Sequence, residues 1–310
     1  MSSERRFRVA FGLGLSTVVV MFGLMVLGSI VRTTGSGLAC PDWPLCHGRL
    51  IPPLRFDVLI EWSHRLFALI VSLLLAATSG WVVAHRELRA RLGGLVGLAV
   101  GLLAAQILLG ALTVWKLLDP GIVGGHLAVA LLLFATVLTL TLAARAEAEG
   151  PDLAVGPRPA GLLPLAALAT VATFGQAVLG GLVSTHHAGL ACPDWPTCNG
   201  EWLPPLQGGV ALQVFHRFGA YALVVLVLAA AARARSAPDP GIRAGAMLAG
   251  SLVIAQVVLG ICNVFLGTPT WLSALHLATA ITILAMLVTV TFRTAALPAA
   301  AARLEPAPAR

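Results

Sequence analysis

Charge is scarce in this chain. Only 11% of its 310 residues are Asp, Glu, Lys or Arg, against about a quarter in an ordinary soluble domain. So little polar surface cannot cover a water-soluble globule, which excludes a soluble enzyme or carrier. What fills the space is apolar: 58% of residues are hydrophobic and the mean hydropathy is +0.92. A small-residue cleavage site after the first apolar run is also missing, and that run is too long for a removed signal peptide. Thiols are few, five in all, and four of them fall in two loops. A closed zinc site, which wants four ligands and commonly thiolates, is therefore unattractive.

The hydrophobic residues form eight runs of about the length that crosses a bilayer, near 9–31, 60–84, 94–115, 123–144, 161–184, 212–233, 244–266 and 270–293. They are continuously apolar and rich in Leu and Ala, which predicts helices rather than barrel strands. Positive charge is distributed one-sidedly over the connections. Fourteen arginines, from Arg5 to Arg310, lie on one set of segments; Arg32, Arg49, Arg55 and Lys116 lie on the other. The bias places both termini in the cytoplasm of a multi-pass protein in a bacterial plasma membrane. It accounts for the net charge of +7 without a nucleic-acid partner.

The stretch GLACPDWP occurs twice, at 37–44 and 189–196, each copy completed by a further cysteine to give Cys40…Cys46 and Cys192…Cys198. The Pro-Asp-Trp-Pro turn between the cysteines can bring the sulfurs together, and the outer side of a bacterial membrane is oxidising. Inert staples and a redox-active pair are both compatible with this pattern. Cys262, inside a helix, reads as ordinary packing.

The octapeptide is part of a longer repeat. EWSHRLFAL around His64 matches QVFHRFGAY around His216, and GGHLAVALLL around His126 matches SALHLATAIT around His276. The expected fold is an all-α membrane protein with eight transmembrane helices in two tandem pseudo-symmetric four-helix bundles. The divisions fall at 1–148, a cytoplasmic linker at 149–159, a second bundle at 160–295 and a cytoplasmic tail at 296–310. Each odd helix carries Leu-Gly, at Gly28, Gly110, Gly180 and Gly260, and three of these follow a Gln, at 106, 176 and 256. Such glycines let helices approach closely or make room for a flat ligand.

His64, His126, His216 and His276 fall one per even helix, each about one turn inside the expected outer entry. A polar side chain at that depth needs a partner, and four at matching repeat positions are not satisfied by chance packing. Paired as His64 with His126 and His216 with His276, they can grip haem iron from both sides, since haem brings its own four nitrogens and an apolar ring. Arg65 and Arg217, directly after two of the histidines, are candidates for the propionates. The other histidines, His47, His85, His186 and His187, lie in loops. A dihaem electron carrier satisfies the four imidazoles equally well.

The repeat breaks three residues before the first histidine of each half. Glu61 precedes His64, whereas Gln213 precedes His216. An i, i+3 pair shares a helix face, so an ionisable group accompanies the first site and a neutral amide the second. Proton chemistry is expected in the first half and a resident cofactor in the second. Arg65, Arg32 and Arg55 are alternative partners for Glu61.

With these motifs in place, the chain resembles haem A synthase over nearly all eight helices. The doubled GLACPDWPxC loops, EWSHR, GGHLA, FHR and ALHLA carry the resemblance. It implies oxidation of the C8 methyl of haem O to a formyl group, giving haem A for terminal oxidases. By the same resemblance His216 and His276 ligate a haem b, the substrate haem sits beside Glu61, His64 and His126, and Cys40 and Cys46 are associated with activity. The implied partners are haem O, haem O synthase, oxidase assembly factors, membrane lipid, an electron donor that the sequence does not name, and a second copy of the chain.

Overall fold

The computed structural model describes residues 1–150 and 156–298. The centre of the expected linker, 151–155, and most of the expected tail, 299–310, lie outside the described residues. Eight membrane-length helices make up nearly all of the rest: α1 Ser3–Thr33, α2 Phe56–Ala84, α3 Arg86–Trp115, α4 Pro120–Glu149, α5 Leu162–Thr185, α6 Gly208–Ala234, α7 Pro240–Phe265 and α8 Thr270–Ala296. Among the described residues there is no β-strand beyond two isolated bridges. Uninterrupted Leu, Val and Ala favour this outcome, because a helix satisfies every backbone N–H and C=O within its own segment.

Seven of the eight helices run longer than the apolar stretches that announce them. Thirty-one residues of α1 rise about 46 Å, more than the ~30 Å hydrocarbon layer. Polar turns such as Ser3–Arg8 continue the helix into the interface. Caps fix the ends: Asp119 accepts from the N–H groups of Gly121 and Ile122 ahead of α4, and Asp239 from Gly241 ahead of α7, each with Pro at the first helical position.

Helices α1 to α4 close into one four-membered ring of contacts and α5 to α8 into another. The rings meet through α1 against α8 and through α4 against both α5 and α8. Met21, Met25, Leu75, Leu131, Phe134, Ile281 and Leu284 form the buried core spanning this seam. The α4–α5 contact is reciprocal. Leu182 occupies the space where a Cβ on Gly124 would lie, 2.7 Å from its Cδ2, and Leu127 fills the notch left by Gly181. Each helix thus inserts a leucine into a glycine of the other, and close approach is what the missing side chains provide. Outward-facing Val19, Leu73, Leu98, Val171 and Val225 are exposed, as a lipid-facing surface requires.

Both long loops, 34–55 and 186–207, project from one face. Each contains a short helical turn, a disulfide and a cis Trp-Pro bond. The disulfides join Cys40 to Cys46 and Cys192 to Cys198, with Cα atoms 4.7 and 4.6 Å apart. Every even helix begins at this disulfide face and every odd helix ends there.

Candidate functional site

The four histidines sit at closely matched depths, six or eight residues into their helices. That is about 9–12 Å along the axis, nearer two turns than one; α2, α4 and α6 start a few residues before the apolar runs that announce them, whereas α8 starts with its run at residue 270. The four Leu-Gly glycines lie five residues before the ends of the odd helices. Glycine and imidazole therefore meet. A Cβ built on Gly28 would stand 3.1 Å from His64 Cε1; on Gly110, 3.3 Å from His126; on Gly180, 2.9 Å from His216; on Gly260, 3.2 Å from His276. Each odd helix gives up a side chain to receive the ring of the next helix. This is the role of the repeated glycines, and the spacing alone did not reveal it.

Each of the four histidines is partly exposed as a residue, yet the Nδ1 atoms of His64, His126 and His276 are buried and have no hydrogen-bond partner among the described residues. Three unpaired ring nitrogens inside apolar bundles, each ring seated in a glycine notch, are the donor set of a group still to be received. Among the described residues no three His, Cys, Asp or Glu side chains converge as a metal cage. A ligand that supplies its own equatorial nitrogens and asks for two imidazoles fits these residues; an ion needing a full protein cage does not.

Three of the histidines also touch a glutamine. Gln106 Nε2 lies 3.3 Å from His126 Nε2. Gln176 Nε2 reaches His216 Nδ1 at 3.0 Å and donates to the His216 carbonyl at 2.7 Å. Gln256 donates to the His276 carbonyl at 2.9 Å. The residue in register on α1 is Leu24, four before Gly28, so His64 has no side-chain amide beside it.

Glu61 is buried, with 4% of its surface exposed. One carboxylate oxygen accepts from Arg65, one turn further along α2, and the other accepts the backbone N–H of Cys40 at 2.7 Å. Of the alternative partners, Arg32 instead donates to the Ser184 carbonyl and Arg55 pairs with Asp57 at 2.8 Å. In the second half Gln213, equally buried, donates to the Gly189 carbonyl at 3.2 Å.

Arg65 and Arg217 are the anchors of the two loops. Arg65 donates to the carbonyls of Asp42 and Leu45 at 2.6 Å and of Cys40 at 3.0 Å. Arg217 donates to Asp194 at 2.8 Å and to Thr197 and Cys192 at 2.6 Å. Each disulfide loop is thereby strapped to the turn that carries a candidate ligand. Asp42 and Asp194 organise the loops by accepting from the two backbone N–H groups that follow the second cysteine, at His47 and Gly48 and at Asn199 and Gly200. Both carboxyls titrate below the usual range, Asp42 chiefly through the Gly48 N–H and Asp194 chiefly through the Thr197 hydroxyl.

The remaining histidines serve local structure. His47 Nε2 bonds the Ala39 carbonyl at 2.9 Å, His85 that of Trp81 at 2.8 Å, and His186 that of Leu182 at 3.0 Å. His187 lies beside Arg32.

The chain matches the profile of the COX15-CtaA family, described as cytochrome oxidase assembly protein, over residues 12–58 and 54–288. It is 34% identical to the heme A synthase of Symbiobacterium thermophilum over 255 residues, covering 79% of this chain and 82% of that one. It is 34% identical to the heme A synthase of a Methylobacterium species over 341 aligned positions, covering 93% and 92%. The heme A synthase of Bacillus licheniformis is 31% identical over 270 residues, covering 82% and 85%.

Proposed function

The chain belongs to the COX15-CtaA family of cytochrome oxidase assembly proteins, and on that premise we propose that it is a haem A synthase, oxidising the C8 methyl of haem O to a formyl group. The observation that carries the reading is the set of four imidazoles in four glycine notches, accompanied by a carboxylate in one half only. In this reading His216 and His276 hold a resident haem b in the second bundle, and His64 and His126 face the substrate haem in the first. Iron porphyrin together with oxygen supplies the oxidising power that an unactivated methyl demands.

The protein's own residues supply position and protons. The glycine notches fix the imidazoles at a common depth, where His64 and His126 in one bundle and His216 and His276 in the other would hold a macrocycle. The bundle's Leu and Val side chains exclude water from it. Glu61 accepts two hydrogen bonds with its carboxylate, and a proton arriving there releases the Arg65 contact. Among the described residues it is the buried acid that shares a helix face with a candidate ligand, and it moves the protons that methyl oxidation sheds. Arg65 and Arg217 stand one residue past a ligand and are the cations nearest in sequence for the propionates. The positive bias of the loops supports cytoplasmic termini in a bacterial plasma membrane.

Expression in cells that make haem O, followed by extraction of pigments, tests the proposal. The unaltered chain yields haem A or its hydroxylated precursor, and Glu61→Gln and His64→Ala yield neither while retaining a b-type spectrum. Haem O and haem b alone from the unaltered chain would make it an electron carrier. Loss of the b-type spectrum with synthesis intact, in either variant, would reverse the roles of the two halves.

A further inference from the structure

Each disulfide loop returns to its helix through the same pattern, Leu50-Ile51-Pro52-Pro53-Leu54 before α2 and Trp202-Leu203-Pro204-Pro205-Leu206 before α6. The large side chains are open to the surroundings. Leu50, Ile51 and Leu54 are 79%, 74% and 83% exposed, more than Leu73 at 61% on the outward face of α2, and Leu203 is 73% exposed. In a loop standing in water this would be an apolar patch with nothing to cover it.

The first loop does not stand clear of the bundle. The Trp62 indole N–H donates to the Leu50 carbonyl at 2.8 Å. Trp62 lies six residues into α2, about 9 Å along it, and two residues before His64. It heads a stripe that continues through Leu66, Leu69 and Leu73, all exposed, at the i, i+4, i+7, i+11 spacing of one helix face. Leu50 is therefore pinned beside the outer end of the surface that α2 turns to lipid, at a depth already inside the apolar run.

The second half reaches the same arrangement with its parts exchanged. Val214 holds the register of Trp62, and Trp202 that of Leu50. Trp202, now supplied by the loop, lines one small recess with Val214, Phe218 and Tyr221, the positions in register with Trp62, Leu66 and Leu69. An indole lies at the head of the outward stripe in both halves, from the helix in one and from the loop in the other. Indoles gather where the headgroups of a bilayer meet its chains, since the ring is apolar and its N–H is not. The seam between the bundles is built by α1, α4, α5 and α8, so the two segments lie on the flanks, and each continues a lipid-facing surface.

We propose that Leu50–Leu54 and Trp202–Leu206 are membrane anchors, lying in the outer leaflet at the boundary of headgroups and chains, with Leu50, Ile51, Leu54, Leu203 and Leu206 among the acyl chains. The partner is the lipid surface itself. Each disulfide loop is then held twice, by its arginine to the helix and by its apolar segment to the bilayer.

Nitroxide labels read the surroundings of each segment. On a Cys262→Ala background, Ile51→Cys and Leu203→Cys are labelled singly in the full-length protein and reconstituted into phosphatidylcholine nanodiscs. The references are Val19→Cys, on the lipid-facing side of α1, and Ser236→Cys, exposed in an inner connection. Intact mass and size-exclusion elution verify that every variant keeps both disulfides and one label and remains folded. Collisions with oxygen, which concentrates in lipid, and with a water-soluble nickel chelate locate each label. Labels at 51 and 203 are expected to meet oxygen as Val19→Cys does and to be shielded from the chelate relative to Ser236→Cys. Trp62→Leu, which removes the N–H that holds Leu50, shifts the label at 51 toward the chelate and leaves the label at 203 unmoved. Free access of the chelate to 51 and 203, as at Ser236→Cys, would place the segments in water and overturn the proposal. Shielding from both reagents would sink it equally, because protein rather than lipid would then cover them. A label at 51 that stays put in Trp62→Leu would remove the indole from the account.

Discussion

The first and second bundles share a frame and differ in how its sites are furnished. Both have four helices, a disulfide loop strapped by an arginine, and imidazoles seated in glycine notches. At the notch itself nothing distinguishes them. Around it, Glu61 stands against Gln213, Leu24 against Gln176, and Phe67 against Gly219. The lesson is that the frame the two bundles share is separable from the side chains placed around each imidazole. Three exchanges thus change the side chains that surround the first imidazole of each bundle.

Exchanging those parts is the way to break the comparison. The largest effect is expected at the notches. Gly180→Val drives a side chain into His216, whose Cε1 is already 2.9 Å from where the first added carbon would lie, so pyridine haemochrome assay shows loss of most of the haem b. Gly28→Val leaves haem b in place and abolishes haem O uptake. Next comes the acid. Glu61→Gln removes one acceptor of Arg65 and leaves the carbonyls of Cys40, Asp42 and Leu45 in place; loss of haem A is expected with a slightly lowered thermal midpoint. Gln213→Glu gives Arg217 a partner and is expected to leave haem b content unchanged.

A smaller effect is expected from the staples. Each disulfide closes a loop of only 6 residues, which by chain entropy is worth about 2 kcal/mol. Cys192→Ser with Cys198→Ser should lower the thermal midpoint and spare catalysis. The matching change at Cys40 and Cys46 loosens the backbone N–H that Glu61 accepts, so it should lower haem A yield as well. The smallest effect concerns pH. Asp42 and Asp194 both titrate below their unfolded range, so the stability they lend is complete above about pH 4 and is lost only as pH falls through the depressed folded values. Loop protection measured by hydrogen exchange should be flat from pH 5 to 8 in both loops. On acidification loop 34–55 should open first, because Leu45 stands where Thr197 helps hold Asp194.

Much of this was legible in the letters. Continuous apolar runs announce eight helices, since a bilayer leaves the backbone no other partner. The doubled cysteine motif and the four histidines mark a repeat in the letters and the imidazoles that the glycine notches receive. The helix ends were not legible, because polar turns at the membrane surface propagate a helix without contributing hydropathy, and this is why His64, His126 and His216 lie deeper than expected. The acceptors of Arg65 and Arg217 were hidden too: they are main-chain carbonyls, which no residue letter encodes. The glutamines were visible as a repeated letter, but only packing between neighbouring helices reveals that each reaches the histidine of the next. Glu61 reads from sequence as a neighbour of His64, whereas its bonds tie it equally to the loop.

The interlocked leucines and glycines of α4 and α5 carry one further consequence. Leu127 follows His126 directly, and the Gly181 that receives it follows Gly180, the notch of His216. A ligand histidine of one bundle and the notch of the other are thus bolted to a single rivet. The distance between His126 and the notch of His216 is therefore set by helix packing, and it will stay constant however the lipid around the protein is changed.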